Sequence, residues 1–221
     1  MAKYMIHACL DRLWYVENYL MPSMIEQGID KHNIILYVDV NKEGCLKSCI
    51  KSFEISSHEK SGVWHLQDDV IICRDFKERT ERYDDGVVCG FSSYYDERKH
   101  WAPGESNGLK MWYSFPCIRI STPIMQEYVD WFNIYVWRDP QYEKWVKAKK
   151  YDDTIFRIWM EQYHPQTPVL NLAPNLVDHI DFLLGGSTIN PNRKTEQVRS
   201  LSFQDKDLIT KLSEDLKNDI R

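Results

Sequence analysis

The chain has 221 residues, of which 43% are apolar and 28% are charged, and its formal net charge is −5. This composition supports a buried core and excludes a disordered chain, so we expect one α/β domain with a C-terminal extension. The negative charge argues against a general nucleic-acid binder, because such proteins neutralise phosphates with a mainly basic surface. No apolar run approaches the roughly 20 residues that span a bilayer, so we expect no integral membrane segment.

The first half of the chain alternates apolar runs with helical periodicity. Strands are predicted at 4–9 and 33–40, each followed by a helix, at 13–27 and 45–53. Two strand–helix units in succession predict a doubly wound parallel sheet. The remaining predicted elements are a strand-like segment at 62–73, a helix at 74–83, a strand at 86–91, helices at 123–137, 141–149 and 153–163, a strand at 169–172 and a helix at 208–216.

The six cysteines include no CxxC pair, and we expect no secretory leader before them. This pattern predicts a reducing, cytoplasmic compartment. Cys45 and Cys49 would share a helix face, but no second ligand pair follows, so structural zinc is the less favoured interpretation.

Two adjacent acids, Asp68 and Asp69, interrupt the strand-like segment GVWHLQDDVIIC. Burying an unpaired carboxylate is unfavourable, so such a pair predicts the carboxyl edge of a sheet, where a cation or polar ligand neutralises it. Hard oxygen ligands suit manganese or magnesium, which can bridge the phosphates of a nucleotide. The structural alternative is that the acids cap the helix near Arg74 or pair with a nearby arginine.

A second acid pair, Asp152 and Asp153, stands directly before a predicted helix. An aspartate at this position can cap the helix. It can also serve as the general base that removes the proton from a substrate hydroxyl. A third pair, Asp84 and Asp85, precedes Gly86 and is typical of a turn.

Two histidines are candidate metal ligands, although neither lies in a local metal motif. His179, within PNLVDHIDF, is either a packed structural residue or a ligand. His65 stands three residues before the acid pair and is the competing candidate.

The segment from Ser92 to Lys110 shows little periodicity, and loops of that length are usually functional. Its aromatic side chains and those just beyond it form either a platform for an acceptor or a lid packed over the sheet. These residues are Tyr94, Tyr95, Trp101 and Trp112.

Four segments occur in the order HACLDRLWYVENYLMPSMIEQGI, WHLQDDV, KYDDTIFRIW and PNLVDHIDFLLGGST. Taken in this order, they resemble glycosyltransferases of the GT-A fold, of the small bacterial or phage-encoded glycosyltransferase family 2 kind. The resemblance covers about Tyr4 to Ser187. It implies a Rossmann-like, doubly wound mixed sheet in a domain of residues 1–190, followed by an extension of residues 191–221 with an amphipathic helix.

The resemblance also implies roles for individual residues. Gln67 and Asp68 stand at the first two positions of the DxD-type motif, where Gln67 departs from the usual acid. The implied nucleotide-binding residues are Cys9, Arg12, Asp39 and Asp68, the implied metal-binding residues are Asp69 and His179, and the implied catalytic residues are Asp153, as general base, and its neighbour Asp152.

The implied function is metal-dependent transfer of a sugar from a nucleoside-diphosphate sugar, with a UDP-sugar favoured, to an acceptor hydroxyl with inversion. The acceptor is a glycan, a lipid-linked saccharide, a protein or a hydroxylated base in phage DNA. One alternative is a metal-dependent nucleotidyltransferase, although the chain has no glycine-rich, lysine-bearing phosphate loop. The other is a non-catalytic binding module whose acids are surface charge.

Overall fold

The computed structural model describes residues 2–92, 115–141, 144, 151–186, 199–200 and 202–219. Its strands are β1 Lys3–Cys9, β2 Ile34–Asp39, β3 Val63–Gln67, β4 Val70–Ile72, β5 Val87–Cys89, β6 Cys117–Ile120, β7 Val169–Asn171 and β8 Val177–His179. Its α-helices are α1 Leu13–Tyr15, α2 Met21–Glu26, α3 Cys45–Ser56, α4 Phe76–Thr80, α5 Thr122–Trp131, α6 Asp152–Tyr163 and α7 Lys206–Asp219. A π-helical turn, Val16–Leu20, joins α1 to α2, and another, Phe132–Val136, continues α5.

Within the described residues, the central sheet has six strands in the order β2-β1-β3-β6-β5-β7, and β4 pairs with β8 in a separate ribbon. Strand β6 runs antiparallel to both of its neighbours, whereas the other pairings in this sheet are parallel. The predicted α/β class, with a Rossmann-like mixed sheet in a single domain, is confirmed.

Both faces of the sheet are covered, because successive side chains of a strand point to opposite sides. On β1, Tyr4 and Ile6 enter the core that contains α4 and α7, whereas Met5 enters the core packed by α3, α5 and α6. This burial on both faces explains why the strands are nearly continuous apolar runs.

The predicted strand-like segment 62–73 is two strands in different sheets. β3 ends at Gln67, Asp68 and Asp69 make the turn, and β4 begins at Val70. The acids therefore lie at the carboxyl end of a parallel strand, as predicted. The third acid pair also lies in a turn, where Gly86 has a φ of +78°.

Two strands were not predicted. β6 contains Arg119, a charged residue that is only 2% exposed because its guanidinium donates to the backbone carbonyls of Asp84 and Gly86. β8 contains the fully buried Asp178, which accepts from the Arg199 side chain and the Ser200 backbone N–H. In both cases the partner of the charged group is distant in sequence, so local patterning does not reveal a strand.

The C-terminal helix α7 belongs to the same core as the sheet. Ile209, Leu212 and Leu216 are each 6% exposed and pack in the cluster that contains β1 and α4. Arg74 holds the start of the helix by ion pairs to Asp205 and Asp207. The predicted domain boundary at residue 190 and much of the predicted helix 141–149 lie outside the described residues.

No helix in the described part of the chain is long and apolar enough to cross a membrane.

We predict that Leu212→Ala lowers the free energy of unfolding by about 2–4 kcal/mol, because it removes a buried side chain and leaves a cavity. The matched control is Lys211→Ala, an exposed neighbour on the same helix, which should change it by less than about 0.5 kcal/mol. Chemical denaturation measures both. Equal, small effects would show that α7 is not part of the cooperative folding unit.

Candidate active site

The candidate site lies where β1, β2 and β3 end side by side. In the parallel registers, Cys9 is level with Asp39, and His7 is level with Gln67. The chain therefore delivers the segments after Cys9, Asp39 and Gln67 to one edge of the sheet. Ligands of open α/β sheets bind in the crevice outside this edge.

Arg12 ties the β1 loop to the acid pair. It lies in the short 3-10 helix Leu10–Arg12 directly after β1 and is only 3% exposed. Its Nη1 lies 3.1 Å from Asp68 Oδ1 and also contacts Asp69 Oδ2, and its Nη2 donates to the Gly186 carbonyl over 2.8 Å. The structural alternative for the acids, pairing with a nearby arginine, is therefore what this structure contains.

Both carboxylates are buried, yet their protonation is pushed in opposite directions. Asp68 also accepts from the Cys9 backbone N–H over 2.6 Å, but burial and the charge of Asp69 raise its pKa. Burial also opposes ionisation of Asp69, but the charges of His179 and Arg12 outweigh it and lower the pKa of Asp69. Asp69 is therefore the more readily ionised of the two acids, and the neighbouring cations stabilise its charge more than that of Asp68.

His179 is brought to Asp69 by the β4–β8 ribbon, in which Val70 is level with His179. Its Nε2 lies 3.1 Å from Asp69 Oδ2, and its Nδ1 lies 3.2 Å from Asp181 Oδ1, without the geometry of a hydrogen bond. Burial lowers the pKa of His179, but the charges of Asp69 and Asp181 prevail and raise it to about 10. A protonated imidazole has no lone pair for a metal, so this arrangement favours the structural interpretation of His179. Its role as a ligand stays a prediction.

We call the five side chains Arg12, Asp68, Asp69, His179 and Asp181 the Arg12 cluster. Three carboxyl groups face two cationic groups in it. Four of its buried atoms have no hydrogen-bonding partner among the described residues: the Arg12 Nε donor, the Asp69 Oδ1 acceptor, and His179 Nδ1 and Asp181 Oδ1, which lie 3.2 Å apart as an ion pair. The cluster is therefore not saturated, because buried polar atoms are normally paired.

Asp39 lies at the carboxyl edge of the sheet, as expected, but its carboxylate already accepts hydrogen bonds from the backbone. Its two oxygens accept the backbone N–H groups of Glu43 and Gly44 over 3.0 and 3.2 Å. Asp39 thus shapes the turn from β2 into α3. A contact with a ribose stays a prediction.

The second acid pair begins helix α6. Asp152 is 6% exposed, and burial together with the charge of Asp153 raises its pKa to about 7. Asp153 is half-buried and accepts the Thr154 backbone N–H over 2.6 Å. Asp152 in turn accepts the Asp153 backbone N–H over 3.0 Å, so the two acids make similar backbone contacts and differ in burial.

Asp152 lines a small cavity between the sheet and α3. Gln67 and His7, from the strands that lead into the Arg12 cluster, line the same cavity. His65 also lines it, and neither ring nitrogen of His65 has a partner among the described residues. Burial and the charge of His7 lower the pKa of His65 to about 3. His65 therefore lies beside Asp152 rather than within the Arg12 cluster.

Most of the predicted site residues meet at one sheet edge. Cys9, Asp68, Asp69 and His179 lie in contact with each other or with Arg12. Sequence reasoning missed Asp181, although the pattern His-x-Asp in DHIDF was the available signal. It also missed the Gly186 carbonyl, which no side-chain pattern could reveal. The predicted aromatic platform, Tyr94, Tyr95, Trp101 and Trp112, lies outside the described residues.

No protein-family model and no curated protein matches the chain. Among solved structures, the chain is similar to one titled "Crystal Structure of A197 from STIV", with 15% sequence identity and a TM-score of 0.46. The match covers 81% of this chain and 86% of that chain.

We predict that His179 stabilises the fold in a pH-dependent way. Its pKa is raised from 6.5 to about 10, so its stabilisation is complete below pH 6.5 and is lost as the pH rises towards 10. The difference in unfolding free energy between wild type and His179→Gln should therefore shrink over this interval. Denaturant titrations at pH 6, 8 and 10 measure it, and a constant difference would contradict the ion-paired state.

Proposed function

We propose that the chain is a glycosyltransferase of the GT-A type that takes a sugar from a nucleoside-diphosphate sugar and binds the diphosphate at the Arg12 cluster. The observation that supports this most is the position of that cluster. Charged groups from residues 12, 68, 69 and 179 are buried together at the carboxyl ends of parallel strands, where α/β sheets bind nucleotides. Buried ionic groups are costly, which favours a functional reason for their assembly.

The cluster fits a divalent cation through Asp68 and Asp69. No group of three or more His, Cys, Asp or Glu side chains with metal-binding geometry occurs in the described part of the chain. Magnesium, however, is commonly held by one or two carboxylates together with substrate phosphates rather than by a full set of protein ligands. The excess of carboxyl groups and the unpartnered Asp69 Oδ1 suit such an ion. A bound manganese or magnesium ion would neutralise charge on the departing nucleoside diphosphate.

Cationic side chains of the chain would share that task. Arg12 presents a planar guanidinium, which matches phosphate oxygens in pairs. His179, protonated at neutral pH, adds a second positive charge. Preorganised positive groups stabilise the charge that develops on a leaving group.

The acceptor hydroxyl needs a base, and Asp152 suits that role better than its neighbour. A general base works best when its pKa lies near the operating pH, and the pKa of Asp152 is raised to about 7. Asp152 also shares a cavity with His7 and Gln67, which lead into the cluster. In the proposed step the acceptor oxygen attacks the anomeric carbon of the sugar with inversion, the bond from that carbon to the nucleoside diphosphate breaks, and Asp152 takes the hydroxyl proton. The resemblance instead assigns the role of general base to Asp153, which is the second candidate for this role.

A nucleotidyltransferase remains the second candidate, because carboxylates and a divalent cation serve that reaction too. Products distinguish the two, since sugar transfer releases a nucleoside diphosphate and nucleotidyl transfer releases pyrophosphate. A non-catalytic module would release neither. The acceptor, a glycan or a hydroxylated DNA base, is identified by the product that gains the sugar.

We predict that Asp69→Asn abolishes manganese-dependent binding of a UDP-sugar, because it removes a buried anionic ligand while keeping the side-chain shape. Calorimetric titration with and without manganese measures this. Asp84→Asn, in the exposed turn before β5, is the matched control and should bind as wild type does. Wild-type affinity in Asp69→Asn would remove the metal assignment.

We predict that Asp152→Asn lowers the rate of transfer by about 100-fold or more, the usual scale for losing a general base, while donor affinity changes little. The wild-type rate should rise with pH through about 7, where the Asp152 carboxyl ionises. Single-turnover assays of Asp152→Asn and Asp153→Asn compare the two acids. A large loss in Asp153→Asn alone would give the base role to Asp153, and no loss in either would reject this acid pair as the base.

A further inference from the structure

We infer that Arg12 is a built-in substitute cation that competes with a divalent cation for Asp68 and Asp69. The inference rests on the proposed function for its donor-binding consequence, but the competition itself concerns only the metal. It explains why a fully buried arginine lies between two carboxylates at an edge otherwise suited to a metal ion.

The geometry of Arg12 carries the argument. A single nitrogen, Nη1, faces oxygens of both Asp68 and Asp69, so the positive charge lies between the two carboxylates. The Gly186 carbonyl accepts from Nη2 and holds the guanidinium in this place. Arg12 is only 3% exposed, so water screens these ion pairs little.

The same oxygens are the ones that a divalent cation would use. A guanidinium nitrogen and a metal ion cannot occupy the same place between Asp68 and Asp69, so binding of either weakens the other. The competition is uneven, because Asp69 Oδ1 has no partner in the described part of the chain. This buried oxygen has no bond to lose when an ion takes the place of Arg12.

Displacement would also release a phosphate-binding group. Arg12 has an unpartnered Nε donor in addition to its two paired nitrogens. Once it no longer faces the acids, its fork of donors matches an anion such as a diphosphate. The same residue would then hinder binding of the metal alone and promote binding of the nucleotide, which are opposite effects on two measurable affinities.

The decisive variant is Arg12→Gln, tested first with manganese alone. We expect its affinity for Mn²⁺ to be about tenfold or more tighter than that of wild type, because buried carboxylates that lose their partner gain strongly from a new cation. Titration followed by electron paramagnetic resonance measures free Mn²⁺. Near-ultraviolet circular dichroism checks that the variant keeps native packing.

The matched control is Arg74→Gln. Arg74 also pairs with two carboxylates, Asp205 and Asp207, but its side chain is 55% exposed. Removing it frees Asp207, whose side chain is 67% exposed, and Asp205, whose side chain is 21% exposed, at the surface, where less is gained from an ion than in a buried cluster. Its Mn²⁺ affinity should equal that of wild type, and an equal gain in both variants would overturn the inference.

The second measurement is UDP binding at saturating manganese, which should be weaker in Arg12→Gln than in wild type. Tighter manganese with weaker UDP supports the inference. Unchanged or weaker manganese binding overturns it, whatever happens to UDP. If wild type binds no nucleotide but Arg12→Gln binds manganese more tightly, the competition stands and the proposed function fails.

Arg12→Lys keeps the test valid if the glutamine variant does not fold. Lysine retains the charge but not the fork that faces Asp68 and Gly186 together. We expect a smaller gain in manganese affinity than in Arg12→Gln. A folded Arg12→Lys protein with wild-type manganese affinity overturns the inference.

Discussion

The ion pairing of Arg12 with Asp68 and Asp69 joins three distant parts of the chain at one place. Arg12 follows β1, the acids follow β3, and Gly186, which also accepts from Arg12, follows β8. These groups are buried, so each charge depends on the others being in position. This ion pairing therefore fixes the positions of three segments relative to one another: the loop after β1, the β3–β4 turn and the segment that follows the β4–β8 ribbon.

The sheet supplies the positions that this constraint needs. β1 and β3 are parallel neighbours, so their carboxyl ends coincide, and the chain leaves each strand directly into the cluster. The ribbon then adds His179, because β4 begins one residue after Asp69 and pairs with β8. Backbone pairing of the strands therefore brings the side chains of the Arg12 cluster together. The ion pairs among these side chains stabilise the same arrangement.

The sequence predicted the parts of this arrangement that are local. Strands β1 and β2 and the helices between them were visible as apolar runs and helical periodicity, and the acid pair was correctly placed at a strand end. The partner of the acids could not be predicted, because Arg12 lies 56 residues from Asp68 in sequence. β6 was missed because Arg119 breaks its apolar pattern, and the carbonyls that satisfy this arginine come from another turn. For the acids at 152 and 153, the local pattern does not distinguish the two residues, and the resemblance implied Asp153 as the base. Burial, which the sequence does not show, favours Asp152 instead.

The central claim is that the Arg12 cluster is a nucleotide-diphosphate site in which Asp69 faces a divalent cation. A crystal structure with UDP and manganese, using the anomalous signal of manganese, tests it most directly. The account predicts an anomalous peak beside Asp69, the diphosphate next to it, and Arg12 moved away from the acid pair. A nucleotide bound elsewhere, or no manganese at Asp69 while Arg12 keeps its place, would contradict the account.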